Sequence, residues 1–145
     1  MRCCRELNKA KRIFLAGPFF SEAEKRFNSK IIERLRKEGY DVWAPQEAPF
    51  LTEGLAKEKK RIFQIDTEHL SQADVVVAVL DGKDVDSGTA FEIGLSHAQG
   101  KKIIGIKTDY RTFSKLEEIN LMIESSLDAL CDSLDQLLQR LKDLQ

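Results

Sequence analysis

The run ADVVVAVLDG, residues 73–82, constrains the fold more than any other stretch of the chain. Its β-branched and apolar residues are consecutive, so a strand here carries apolar side chains on both faces. A half-exposed strand would alternate apolar with polar residues. The run therefore predicts a central parallel strand with helices covering each side.

The rest of the chain supplies what such a strand needs. RIFLAG (12–17), YDVWAP (40–45) and KKIIGIK (101–107) read as further strands, the second closed by Pro45. Between them lie helical stretches. Ser21 caps a helix through residues 22–39 whose Ala23, Phe27, Ile31 and Leu35 recur every four residues and which Gly39 ends. Helices are also expected near 57–72, over 87–99 and in the leucine-striped SLDQLLQRLKDL (133–144), whereas INLMIESSLDALC (119–131) has no clean period. Strands alternating with helices imply right-handed crossovers. The expected fold is α/β, a doubly wound parallel sheet of four or five strands in a single domain over 12–145. Residues 1–11, MRCCRELNKAK, are expected to be a flexible tail; they lack the apolar stretch of a signal peptide.

Composition excludes several partners. A net charge of −1 provides no general attraction for a nucleic acid polymer or an anionic membrane. No apolar run is long enough to cross a bilayer, and a cytoplasmic protein is expected. Cys3, Cys4 and Cys131 cannot all pair and form no C-x-x-C motif, while His69 and His97 have no cysteine neighbours. Reduced thiols and no metal site follow.

Ligands of doubly wound sheets bind beyond the carboxyl ends of the strands, where strand order reverses. In the first loop, Ala16-Gly17-Pro18-Phe19-Phe20, the spacing and Pro18's missing N–H argue against a dinucleotide cofactor. Gly17 allows a bulky group close to the main chain. Phe19 and Phe20 either stack on an aromatic ligand or fill the core. The loop from Gln46 to Leu55 is long enough to be functional, but its contacts are not readable.

The third loop carries Asp81, Asp84 and Asp86 ahead of Glu92. Such carboxylates suit a reaction that develops positive charge, as glycosidic cleavage does. Local readings compete with this one. Thr89-x-x-Glu92 fits a capping box, and Asp86 fits a helix start stabilised by its dipole. Asp66, among Ile62, Phe63 and Ile65, either faces inward or is a solvated helix residue.

Taken together, IFLAGPFF (13–20), FQIDTEHLSQADVVVAVLDG (63–82), DSGTAFEIGLSHAQGKKIIG (86–105) and INLM (119–122) resemble the nucleoside 2-deoxyribosyltransferase family. The resemblance implies a flavodoxin-like fold and double-displacement transfer of 2-deoxyribose from a 2′-deoxynucleoside to a free nucleobase. By position, Glu92 matches the family's nucleophile, and Asp66 and Asp86 match its carboxylates that handle the base. Asn120 matches a residue lent by a neighbouring subunit to the sugar 5′-hydroxyl, which implies a homodimer or larger homo-oligomer. Gly17 and Phe19 fall where the family lines the sugar and base pocket, and Ser87 and Gly88 open the helix beside it.

This chemistry needs no metal or organic cofactor. Slow hydrolysis is expected beside transfer, and ribonucleosides are expected to react poorly. A related group, the 2′-deoxynucleoside 5′-monophosphate N-glycosidases, shares the carboxylates but tends to place serines in the first loop and at the INLM position. Gly17-Pro18 and Asn120 favour an unphosphorylated nucleoside, although Ser87 offers a phosphate donor. A non-catalytic nucleotide-binding module would use the same cleft. A phospho-receiver domain would need an acidic pair after the first strand, where Ala16-Gly17-Pro18 has none.

Overall fold

The computed structural model describes residues 11–48 and 55–144, with nothing on the side chains of residues 55–57. Residues 1–10 of the expected tail over 1–11, with Cys3 and Cys4, and residues 49–54 of the second loop lie outside the described residues. The elements run β1 (Arg12–Ala16), α1 (Glu22–Lys37), β2 (Asp41–Trp43), a 3₁₀ turn (Pro45–Glu47), α2 (Leu55–Gln72), β3 (Val75–Val79), α3 (Ser87–Ala98), β4 (Lys102–Ile106), α4 (Leu121–Glu124), β5 (Ala129–Cys131) and α5 (Leu134–Asp143). The five strands are all parallel in the order β2-β1-β3-β4-β5, the flavodoxin-like order. The fifth strand lies in the segment without a clean period; it is as short as β2 but lacks the glycine and proline that bracket β2.

Two apolar layers flank the sheet. Ile13 and Leu15 of β1, with Val75, Val77 and Val79 of β3, pack under α1 and α5 against Ile31, Leu35, Leu137 and Leu141. Their neighbours Phe14, Ala16, Val76 and Ala78 face the other way, with Leu70 of α2 and Ile93 of α3. Every residue of β3 is buried, as its composition requires. α1 opens on a full capping box: Ser21 Oγ accepts from Glu24 N, while Glu24 accepts from Ser21 N.

The chain passes from one side of the sheet to the other between β1 and β3, which opens a crevice at their carboxyl ends. There a Cβ on Gly17 would lie 3.0 Å from Val79 Cβ, so only glycine lets β1 leave this close to β3. Across the same edge a lysine clamps the β3–α3 loop to β4. Lys107, its side chain 2% exposed, donates to Gly82 O at 2.9 Å and pairs with Asp109. Asp109 accepts from Gly82 N at 2.9 Å and from Arg111. Burial pushes the Asp109 carboxyl up, but the donors Lys107, Arg111 and Gly82 N–H outweigh it and hold it below the usual range.

Lys107→Met should therefore lower unfolding free energy by about 2 to 4 kcal/mol near neutral pH, since it leaves a largely buried carboxylate without its main partner. Asp109's stabilisation is present above its unfolded pKa and is lost as pH falls through the folded one. Denaturant titrations should show the gap between wild type and variant narrowing in acid.

Candidate active site

On α2, residues Lys59, Ile62, Phe63, Asp66, Thr67 and Leu70 recur at intervals of three and four, so they share one helical face. α3 packs beside that face and presents Gly88, Phe91 and Glu92 to it. The two enclose a pocket of about 260 Å³, apolar except for Lys59, Thr67 and the two carboxyls. Phe63 and Phe91, each about half exposed, tilt together with ring centroids 6.0 Å apart.

Asp86 starts α3. Its Oδ2 accepts from Thr89 N at 3.0 Å and Thr89 Oγ1 at 3.2 Å. Gly88 keeps room for this carboxylate, since a Cβ there would come within 3.2 Å of Oδ2. The competing Thr89-x-x-Glu92 capping box does not form: the cap is Asp86, and Thr89 is a buried donor inside the first turn. Among the described residues Glu92's carboxyl has no hydrogen-bond partner. Burial, then the charges of Asp66 and Asp86, push it up to about 8.

Asp66 is half-buried rather than solvated, which answers the choice left open by its neighbours in sequence. Burial pushes it up to about 6, and the indole N–H of Trp43 offsets part of that push. The indole does not reach full hydrogen-bond geometry: Trp43 Nε1 and Asp66 Oδ1 are both buried without a partner, so burial wins. Trp43 itself lies flat on His69, with centroids 3.5 Å apart and planes 7° apart.

The structure thus brings Asp66, Gly88 and Glu92 to one pocket and sets Asp86 beside Glu92. Ser87 is exposed in the same first turn. Other candidates fall elsewhere. Asp81 turns to Thr108, accepting from its N–H and hydroxyl, and Asp84 is exposed, so the acidic rim reduces to Asp86. Gly17 abuts Val79, and neither it nor Phe19 lines the Glu92 pocket. Phe19 stacks on Phe20 at 6.0 Å; Phe20 is 77% exposed, so the core-filling reading fails for it. Asn120 caps α4 through Met122 N and borders a separate hollow with Lys107 and Ile119. Sequence reasoning missed Lys59, Thr67, Leu70, Phe91 and Trp43. The α2 residues were findable by stepping three or four positions from Asp66; Trp43 carried no such signal. Among the described residues no group of three His, Cys, Asp or Glu is placed to hold a metal ion, and no helix is long and apolar enough to cross a membrane.

A flavodoxin-like sheet that brings buried, mutually repelling carboxyls to one apolar pocket is an arrangement suited to proton transfer. The chain belongs to the nucleoside 2-deoxyribosyltransferase family, whose model matches residues 13–131. Among solved structures it is similar to a 2-deoxyribosyltransferase of Bacillus psychrosaccharolyticus, at 32% identity and TM-score 0.76, covering 87% of this chain and 89% of that one. A conserved protein of Enterococcus faecalis V583 is 28% identical with TM-score 0.82, covering 94% and 99%. A CMP N-glycosidase of Clostridium botulinum, at 23% identity and TM-score 0.61 over 91% and 99%, shares the fold. No curated protein matches the chain.

The unfolded chain releases the Glu92 proton above its ordinary value of 4.5, whereas the folded chain keeps it to about 8. Between these values folding must take up a proton, and the fold loses stability as pH rises. Glu92→Gln removes that penalty. Denaturation midpoints should show the variant more stable than wild type at pH 8, with the difference fading as the pH is lowered to 4.5.

Proposed function

We propose that the protein transfers 2-deoxyribose between nucleobases, with Glu92 as nucleophile and Asp66 and Asp86 as the groups that handle the base. The observation carrying this reading is the shared burial of Glu92 with two neighbouring carboxyls, which retains one proton in the site near neutral pH. A departing base needs that proton, and a sugar carbocation needs the carboxylate it leaves behind. The proton passes by way of Asp66 or Asp86 to the base as the C1′–N bond breaks. Glu92, now ionised, bonds to C1′ through an oxocarbenium-like transition state. A second base then takes the sugar, and its proton returns to the carboxyls. Water in place of that base yields slow hydrolysis.

The apolar walls made by Ile62, Phe63, Leu70 and Phe91 suit the faces of a base, with the carboxyls at its polar edge. The similarity to the Bacillus 2-deoxyribosyltransferase supports the same reading. Incubation with a 2′-deoxynucleoside and a second free base should yield the exchanged nucleoside and, by intact mass, a deoxyribosyl adduct. Glu92→Ala should lose both by several orders of magnitude. Faster turnover of the 5′-monophosphate without acceptor would make the protein an N-glycosidase, and no turnover of either would leave a binding module.

The working unit is a homodimer or larger homo-oligomer. Leu121 and Met122 of α4 are 56% and 71% exposed, and Asn120 between β4 and α4 does not reach its own chain's Glu92 pocket. The family resemblance gives Asn120 the sugar 5′-hydroxyl in a neighbour's pocket, and its distance from its own chain's pocket supports that role. Mixing inactive Glu92→Ala and Asn120→Ala proteins under subunit exchange should restore transfer; no recovery despite exchange would place both residues in one chain's site.

A further inference from the structure

Two buried polar atoms beside the pocket lack partners, and they are complementary. Trp43 Nε1 is a donor and Asp66 Oδ1 an acceptor, and each is sealed from water. A native structure leaves few such atoms, and each one marks a strained or functional position. These two come from different elements. Trp43 ends β2, while Asp66 stands in the middle of α2 with His69 one turn later on the same side. His69 lies flat against the indole, and this stack fixes the ring plane and hence the direction of its single N–H.

We infer that Trp43 is a positioning residue for Asp66: its indole N–H, oriented by the His69 stack, closes onto the Asp66 carboxylate when that group ionises and releases it when it is protonated. The inference rests on the reading of Asp66 as a proton carrier. An indole donates and never accepts, so it favours only the ionised form of its partner. Asp66 must alternate between the two forms as a proton moves to and from a base. A donor that falls short of a full hydrogen bond suits that cycle: it holds the carboxyl in place without trapping it as the anion. A lysine there would fix the charge.

Other groups face the pair. Glu92 from α3 sits across the pocket with Asp86 behind it, and Lys59 and His69 come from α2. Arg12 and Asp41 border the groove on the far side of Trp43. The test must therefore separate Asp66 from His69 and Glu92.

Trp43 is the only tryptophan in the chain, so its indole proton gives a single resonance that needs no substrate to be read. In a pH titration followed by ¹H–¹⁵N NMR, the wild type should show a step in the indole shift centred near the Asp66 value of about 6. The step should persist in His69→Phe, which keeps a ring against the indole and removes the titrating imidazole, and in Glu92→Gln, and it should vanish in Asp66→Asn. A step that survives Asp66→Asn, or a flat response in the wild type, overturns the assignment. Trp43→Phe keeps an aromatic ring against His69 and removes only the donor, so the acid limb of the transfer profile should move up by about one pH unit. An acid limb that does not move also overturns it. The two readings fail separately: an Asp66-dependent step in a protein without transferase activity sinks the function alone, and transfer without the step sinks the role of Trp43 alone.

Discussion

A strand with apolar side chains on both faces cannot be left with either face in water. β3, buried along its whole length, is that strand, and the rest of the architecture follows from covering it. One helical layer is insufficient. α1 and α5 close one side, α2 and α3 the other, and the chain must cross between them. The crossing lies between β1 and β3. The Glu92 pocket lies between α2 and α3, the two helices that cover one face of the valine strand.

The site works against the fold that holds it. Three carboxyls in and beside one apolar pocket repel one another and lose solvation, and the loss appears as Glu92 retaining its proton to about 8. Folded proteins tolerate such a cost where it serves chemistry. The compensation is local: Asp86 is held by Thr89, the loop before it by Lys107 and Asp109, and Asp66 has the indole of Trp43 close by. Each of these contacts stabilises a carboxylate or the backbone carrying it, and none neutralises Glu92. Glu92 is left as the least satisfied of the three.

Much of this was legible in the residue order. The central strand, four of the five strands and the four longer helices followed from apolar period and end signals, which act over a few residues. The Ser21 cap was likewise local and is present with Glu24 as its reciprocal partner. β5 escaped because, unlike the equally short β2 between Gly39 and Pro45, it has no glycine or proline beside it to mark its ends. Of the two local readings at this helix start, the Thr89–Glu92 capping box is absent, and Asp86 does open the helix. With Asp86 as the cap, Glu92 is a pocket residue rather than a helix-end ligand.

The sequence by itself determined what the longer segments had to become, because helix and strand periods, caps and breakers are short-range physics. It also marked the carboxylates, since acids beside apolar runs are few. Only the tertiary structure decided which acids meet. Asp81 and Asp86 belong to one loop, yet Asp81 turns to Thr108 while Asp86 stays with Glu92. Trp43 and Asp66 lie on separate elements and face each other only because β2 sits at the sheet edge under α2. Such meetings depend on strand order and helix packing, which bring together residues far apart in the chain; no local period encodes them.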